Sequence, residues 1–528
     1  MSAHVARRRA GLLIPLFSGS STSSWGIGDI GDVTPLTAWL EGAGQRVLQL
    51  LPLNEMAPGQ QSPYTAVSAM AIDPILIRMS AVEEWMALGG DECLSSVDRA
   101  RLDHVRRASR VEYATIRGLK HGALSAAFDR FYAHEWRRDT ERASALRAFV
   151  SAQRWWVDDH ALFRAIRARE EGRPWAEWPE PLQRHEPEAL NHVRRVFERD
   201  VLFHQYLQWI ADTQWQVART ASHARGVEIF GDLPFMVDVD SADVWAYQHC
   251  FRLDVSVGAP PDAFSATGQD WGMPVYDWEA LAHDGFRWLR DRARRSSDLY
   301  DGYRVDHLVG FYRTYGRPRA GGEPFFTPAH ADEQAALGEQ VLGIFKETGA
   351  EVIAEDLGTV PDFVRASMAA LDIPGFRVLR WERRWHEKGQ PFLDPVDYPA
   401  NSVAASGTHD TEPLMVWWSN ASDEERSQLS RLPTIQRLTQ GDGLPGRRDA
   451  SMVRDALLEA LFASGSDLLL IPVQDVFGWH SRINEPATVT PENWTFRLPW
   501  PCDRLDDIPE ARERQMQLRV WAAQYQRL

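Results

Sequence analysis

Eight short apolar runs, each stopping at a cluster of Gly, Pro and polar residues, constrain this 528-residue chain more than any other feature. They cover residues 11–17, 45–53, 227–233, 301–310, 351–358, 375–380, 402–410 and 467–475. Runs of this length, bounded by turn formers, read as strands. Helix-like pieces such as 362–371 and 454–463 lie between them. Alternating strand and helix implies a parallel sheet, and eight units suggest that the sheet closes on itself. The expected fold is α/β, a (β/α)8 barrel.

Such a barrel absorbs roughly 250 residues, so the remainder must be insertions. From 75 to 223 the pattern is helical: Leu202, Phe203, Tyr206, Leu207 and Ile210 share one face, as do Trp155, Trp156, Leu162, Phe163 and Ile166 on another helix. The expected division is therefore a first part of the barrel at 1–74, an inserted helical subdomain at 75–223 and the rest of the barrel at 224–528. A smaller loop insertion is expected at about 240–298, on the face where the strands end.

Charge narrows the partners. With 58 basic against 74 acidic residues the net charge is −16 and no basic stripe stands out, which excludes nucleic acid and anionic membrane as main partners. No apolar run approaches the ~20 residues of a membrane helix. Arg7-Arg8-Arg9 before an apolar stretch imitates a secretion signal, but the stretch is short, contains Pro15 and suits a first strand. Cys93, Cys250 and Cys502 are far apart, with no metal or redox spacing, which fits a reducing cytoplasm. Gly26, Gly28 and Gly31 match a dinucleotide fingerprint with Glu55 as the following acid, yet residues 18–25 separate them from the strand that should feed them.

Polar residues gather at strand ends, where barrel enzymes place their sites. Asp306 ends the fourth run, Glu355 the fifth and Asp410 lies at the end of the seventh. Three carboxylates in one barrel mouth suit either a divalent cation or cleavage of a glycosidic bond. His307 and His409 keep the metal reading open. The glycosidic reading needs a nucleophile, a protonated acid and groups that hold sugar hydroxyls, and mutual repulsion can keep one carboxyl protonated near neutral pH. Arg304 puts a cation beside Asp306, while Tyr64, Phe264 and Trp271 offer flat faces to sugar rings.

Motifs along nearly the whole chain resemble the amylomaltases, the bacterial 4-α-glucanotransferases of glycoside hydrolase family 77. They include Trp25-Gly26-Ile27-Gly28-Asp29, Ser62-Pro63-Tyr64, Gly231-Asp232-Leu233-Pro234, Pro260-Pro261-Asp262, Gly268-Gln269 with Trp271-Gly272, Arg304-Val305-Asp306-His307, Ala354-Glu355-Asp356-Leu357-Gly358, Gly407-Thr408-His409-Asp410 and Gln474-Asp475. The resemblance implies Asp306 as nucleophile, Glu355 as general acid/base and Asp410 as transition-state stabiliser. It implies Tyr64, Asp262, Gln269, Trp271, Arg304, His307 and His409 as substrate-binding residues. The implied substrates are α-1,4-glucans and maltooligosaccharides, with no cofactor and no metal. The chain departs from the family pattern at residues 54–59, at Asp73 and Met273, and at Thr411-Glu412.

Overall fold

The computed structural model describes residues 8–261, 268–444 and 450–528. Eight parallel strands close into a barrel: β1 (Arg9–Leu13), β2 (Val47–Gln49), β3 (Glu228–Leu233), β4 (Gly302–Val305), β5 (Glu351–Ala354), β6 (Gly375–Val378), β7 (Ser402–Ala405) and β8 (Leu468–Pro472). Each pairs with its neighbour in the chain, and β8 pairs with β1 to close the ring. All eight lie inside the apolar runs of the sequence or overlap their starts. Helices follow most strands, whereas the β6–β7 connection carries only the short turn Pro395–Asp397.

Alternation along each strand decides what fills the barrel. Val47, Phe230, Ile353, Phe376, Val378, Val403, Ala405, Leu468 and Leu470 form one buried cluster contributed by six strands. Gly302 is part of this fit, because a Cβ there would stand 2.6 Å from the Phe230 ring. Two residues further along, the same inward register brings Asp232 after Phe230, Arg304 after Gly302 and Glu355 after Ile353. The apolar plug therefore ends in a layer of charge at the mouth.

Residues 83–223 form helices, among them Tyr113–His134, Glu141–Arg169 and Glu198–His223. Their expected apolar faces are buried at Leu202, Tyr206, Leu207, Ile210, Leu162, Phe163 and Ile166. The smaller insertion differs from its expectation as a loop. Strands Phe251–Ala259 and Gln269–Tyr276 pair as a hairpin, and Thr314–Pro318 and Phe325–Thr327 extend it to a four-stranded antiparallel sheet. Its Gly and Pro content reads as loop, but Gly258 serves packing: a Cβ there would lie 2.0 Å from the Gln269 carbonyl oxygen.

The glycines of the apparent nucleotide fingerprint have the same explanation. A Cβ on Gly28 would meet the Leu16 carbonyl oxygen at 1.8 Å, and one on Gly31 would meet the Arg78 guanidinium at 2.7 Å. They admit backbone and side chain rather than a pyrophosphate.

Candidate active site

Asp306 and Glu355 leave the barrel side by side. Val305 is the register partner of Ala354, so the next residue on each strand is a carboxylate, on chains about 4.8 Å apart. The Asp306 N–H donates to the Leu233 carbonyl and the Glu355 N–H to the Val305 carbonyl at 3.0 Å each, which extends the ladder to both residues.

Arg304 is the hub beneath them. Its Nη1 lies 2.8 Å from Asp306 Oδ1 and donates to Asp232 at 2.8 and 2.9 Å. Asp232 is the register partner of Arg304 across β3 and β4, and both are buried. A guanidinium so enclosed is stable only when paired. Burial disfavours its charge, but Asp232 and Asp306 outweigh that and hold its pKa well above the ordinary value. Burial pushes Asp232 up to about 6 despite Arg304. Tyr64 Oη donates to Asp232 Oδ2 at 2.6 Å, completing a relay from Tyr64 through Asp232 and Arg304 to Asp306.

Glu355 accepts backbone hydrogen bonds from His307 and Leu357, each at 3.0 Å. Burial is the main cause that moves its carboxyl up to about 7, with Asp306 adding repulsion and Arg304 and the Leu357 N–H opposing. His307 aims its N–H at Glu355 from a left-handed conformation, φ 45°, which costs a non-glycine residue roughly 1–3 kcal/mol. Asp356 faces away from the mouth: buried, it accepts from the Phe376 N–H at 2.8 Å and staples β5 to β6.

Asp410 enters the mouth on the loop after β7, two strands round the barrel from Glu355. Burial raises its carboxyl, but His409, the Asn484 amide and Arg304 outweigh this and bring it to about 2. His409 Nε2 stands 3.2 Å from one oxygen and Asn484 Nδ2 donates to the other at 2.6 Å. Arg482 holds the Asp410 carbonyl at 2.8 Å. Deeper in the loop, Asp475 accepts from Ser406 Oγ at 2.5 Å and the Leu414 N–H at 2.7 Å. Two carboxyls at about 2 and about 7 in one mouth can hold opposite protonation states at neutral pH.

The other site residues divide. Tyr64 stacks on His409 at 5.2 Å, with Trp494 against both rings. Trp271 meets the His307 ring edge-on at 4.9 Å, and its indole N–H donates to Gln269 Oε1 at 3.0 Å. Burial lowers the His307 imidazole to about 4. Asp262 and Phe264 lie outside the described residues. Asp232, Asn484 and Trp494 are not among the site residues that the sequence singles out. Asp232 had a signal, a lone carboxylate in an apolar strand; Asn484 and Trp494 lie in a non-periodic segment and had none.

The departures from the family pattern prove to be braces. After β2 the chain runs through Glu55 and Tyr64 to Asp73. Glu55 is buried against His160 Nε2 at 2.8 Å and Arg164 at 3.3 Å. Asp73 is buried against Arg117 at 2.7 Å and accepts from the Met56 and Ile75 N–H groups. A carboxylate in place of an amide at 73 thus gains an ion pair. Both cations sit on inserted helices, so the insertion clamps both ends of the segment that presents Tyr64. Thr411 closes the Asp410 loop, accepting from the Thr408 N–H and donating to the Thr408 carbonyl, both at 3.0 Å. Met273 is partly buried against the core.

Removing the Glu55 carboxylate leaves the half-buried Arg164 guanidinium and the buried His160 ring without their partner. Glu55→Ala is therefore expected to lower stability by ~3–5 kcal/mol, the range for breaking a buried pair from one side, as read by urea unfolding at pH 7. Burial opposes its charge, but Arg164 and His160 hold its pKa far below the carboxylate range. This contribution is accordingly present above pH ~4.3 and lost as acid protonates the group.

A family profile described as 4-alpha-glucanotransferase matches residues 14–503. The chain is 33% identical over 530 residues to the 4-alpha-glucanotransferase of Thermus thermophilus, covering 96% of this chain and 99% of the relative. It is 34% identical over 518 residues to that of Synechocystis sp., covering 95% of each. Among solved structures, an amylomaltase from Streptococcus agalactiae in complex with acarbose superimposes with a TM-score of 0.81 at 26% identity, covering 99% of this chain and all of that one. The barrel, the order of its polar strand ends and these likenesses agree: the chain belongs to the 4-alpha-glucanotransferases of glycoside hydrolase family 77.

Proposed function

We propose that the chain transfers α-1,4-glucan segments between maltooligosaccharides by a retaining double displacement with Asp306 as nucleophile. The observation that carries this reading is the pair at the ends of β4 and β5. Asp306 is ion-paired to Arg304, and the adjacent Glu355 is poised at about 7. Neighbouring strand ends suit the ~5–5.5 Å separation of retaining glycosidases. Asp306 attacks the anomeric carbon while Glu355 protonates the departing oxygen. Glu355, now a base, takes the proton from the 4-hydroxyl of an incoming glucan, whose oxygen displaces Asp306. Asp410 grips hydroxyls of the distorted ring, and Tyr64, Gln269, Trp271, Arg304, His307 and His409 line the sugar path.

The substrate class rests on the family and on the acarbose held by the Streptococcus agalactiae relative. Among the described residues no helix is long and apolar enough to cross a membrane, and the three cysteines are free thiols, which supports a cytoplasmic setting. We place the subdomain boundaries at 75 and 223, where the helical block leaves and rejoins the barrel.

Incubation with maltotriose tests the reading. A ladder of longer oligomers plus glucose is expected; glucose and maltose alone would make the protein a hydrolase. The same assay probes Trp271, which meets the His307 ring edge-on. Trp271→Ala is expected to lower transfer about tenfold more than hydrolysis, equivalent to ~1.4 kcal/mol of acceptor binding. An equal fall in both rates would reduce Trp271 to a packing residue.

A further inference from the structure

Away from the barrel mouth, His249, Cys250 and Asp284 bring one ligand atom each within 4.8 Å of one another. Two of the three separations, those from His249, are those of a coordination sphere. Cys250 Sγ and Asp284 Oδ2 each lie 3.4 Å from His249 Nε2. Zinc bonds of ~2.3 Å to sulfur and ~2.0–2.1 Å to nitrogen or oxygen, at tetrahedral angles, set S···N near about 3.5 Å and N···O near about 3.3 Å. We propose that these three side chains form a binding site for Zn²⁺ or a similarly borderline divalent cation, with the fourth position open to water.

The surroundings favour a cation. The other oxygen of Asp284 accepts the Arg287 N–H at 3.2 Å, which orients the carboxylate as partners outside a metal's own ligands commonly do. Asp277 adds a second carboxylate, and its backbone N–H holds the Cys250 carbonyl at 2.8 Å. His249 is largely exposed and gives the ion a path from solvent. Burial, with Asp284 and Asp277, pushes the Cys250 thiol up to about 12. The ion must therefore displace the thiol proton to solvent as the sulfur–metal bond forms. A thiolate and an imidazole select zinc over magnesium and calcium, which prefer oxygen.

The position matters as much as the ligands. Cys250 directly precedes the strand Phe251–Ala259, and Asp284 follows the helix Trp278–His283 that succeeds the strand Gln269–Tyr276. The ion would tie together the two ends of the hairpin that carries Trp271 to His307, and so stiffen its root.

Cobalt(II) serves as the spectroscopic probe, in a Cys93→Ser background that removes the exposed thiol. The expected result is one equivalent bound, with a thiolate-to-cobalt charge-transfer band that zinc abolishes and magnesium and calcium leave unchanged. Cys250→Ala should lose the band. His249→Ala, a change at an exposed side chain, should weaken zinc binding at least about tenfold and remove the rise in melting temperature that zinc gives the parent. No thiolate band in the parent, or equal zinc affinity in His249→Ala, overturns the proposal. The maltotriose assay on the same preparations reports the transferase reading separately.

Discussion

Replacing Glu355 by glutamine is expected to lower the transfer rate by ~10²–10⁴-fold, the range for a lost general acid/base. The loss should depend on the donor. A glucosyl fluoride leaves without a proton, so its first step should be nearly spared, while a maltooligosaccharide donor should show the full effect. The pH profile gives a second reading. The acid must be protonated for the first step, so kcat/KM of the parent should fall as pH rises through about 7, the position of the Glu355 carboxyl. Glu355→Gln should lack that limb. Stability should move the other way. The folded pKa lies above the unfolded one, so between pH ~4.3 and about 7 the folded state binds more protons and loses stability as pH rises. Glu355→Gln should therefore melt at a higher temperature than the parent above pH 7. A variant that is both inactive and less stable would point to misfolding instead.

Asp306→Asn is expected to cost on the order of 10⁴–10⁶-fold, the scale on which loss of a nucleophile acts. The sharper test traps the intermediate. Glu355→Gln incubated with a fluorinated α-glucosyl donor should accumulate an ester on Asp306, located by peptide mass spectrometry. Asp232 and Asp410 are the informative competitors, because both carboxylates approach Arg304. Asp232 is spent on Tyr64 and Arg304, and Asp410 on His409 and Asn484. An adduct on either, with Asp306 unmodified, would reassign the nucleophile. Asp356, turned onto the Phe376 N–H, should stay clean.

The eight barrel strands were legible because each is a short apolar run with a polar end, and the three carboxylates because each closes or follows one. The relay below them was not. Asp232 reads as a stray charge until the register of β3 on β4 sets it beside Arg304. Asn484 belongs to a stretch without periodicity, and only closure of β8 on β1 and the path back over the mouth bring it to Asp410. The hairpin was misread for a physical reason: glycine permits both flexibility and close approach, and at Gly258 the second applies. Glu55 imitated a nucleotide ligand, and its partners lie on a helix more than a hundred residues away.

The four-stranded antiparallel sheet shares no strand with the barrel. Lengthening or exchanging the stretch between Ala259 and Gln269 therefore shifts no barrel register, and the chemistry on β4 and β5 stays in place. The hairpin is thus an interchangeable part. Under the proposed mechanism, relatives or designed variants could trade it to alter which glucan lengths are accepted, while Asp306 and Glu355 keep their places at the strand ends.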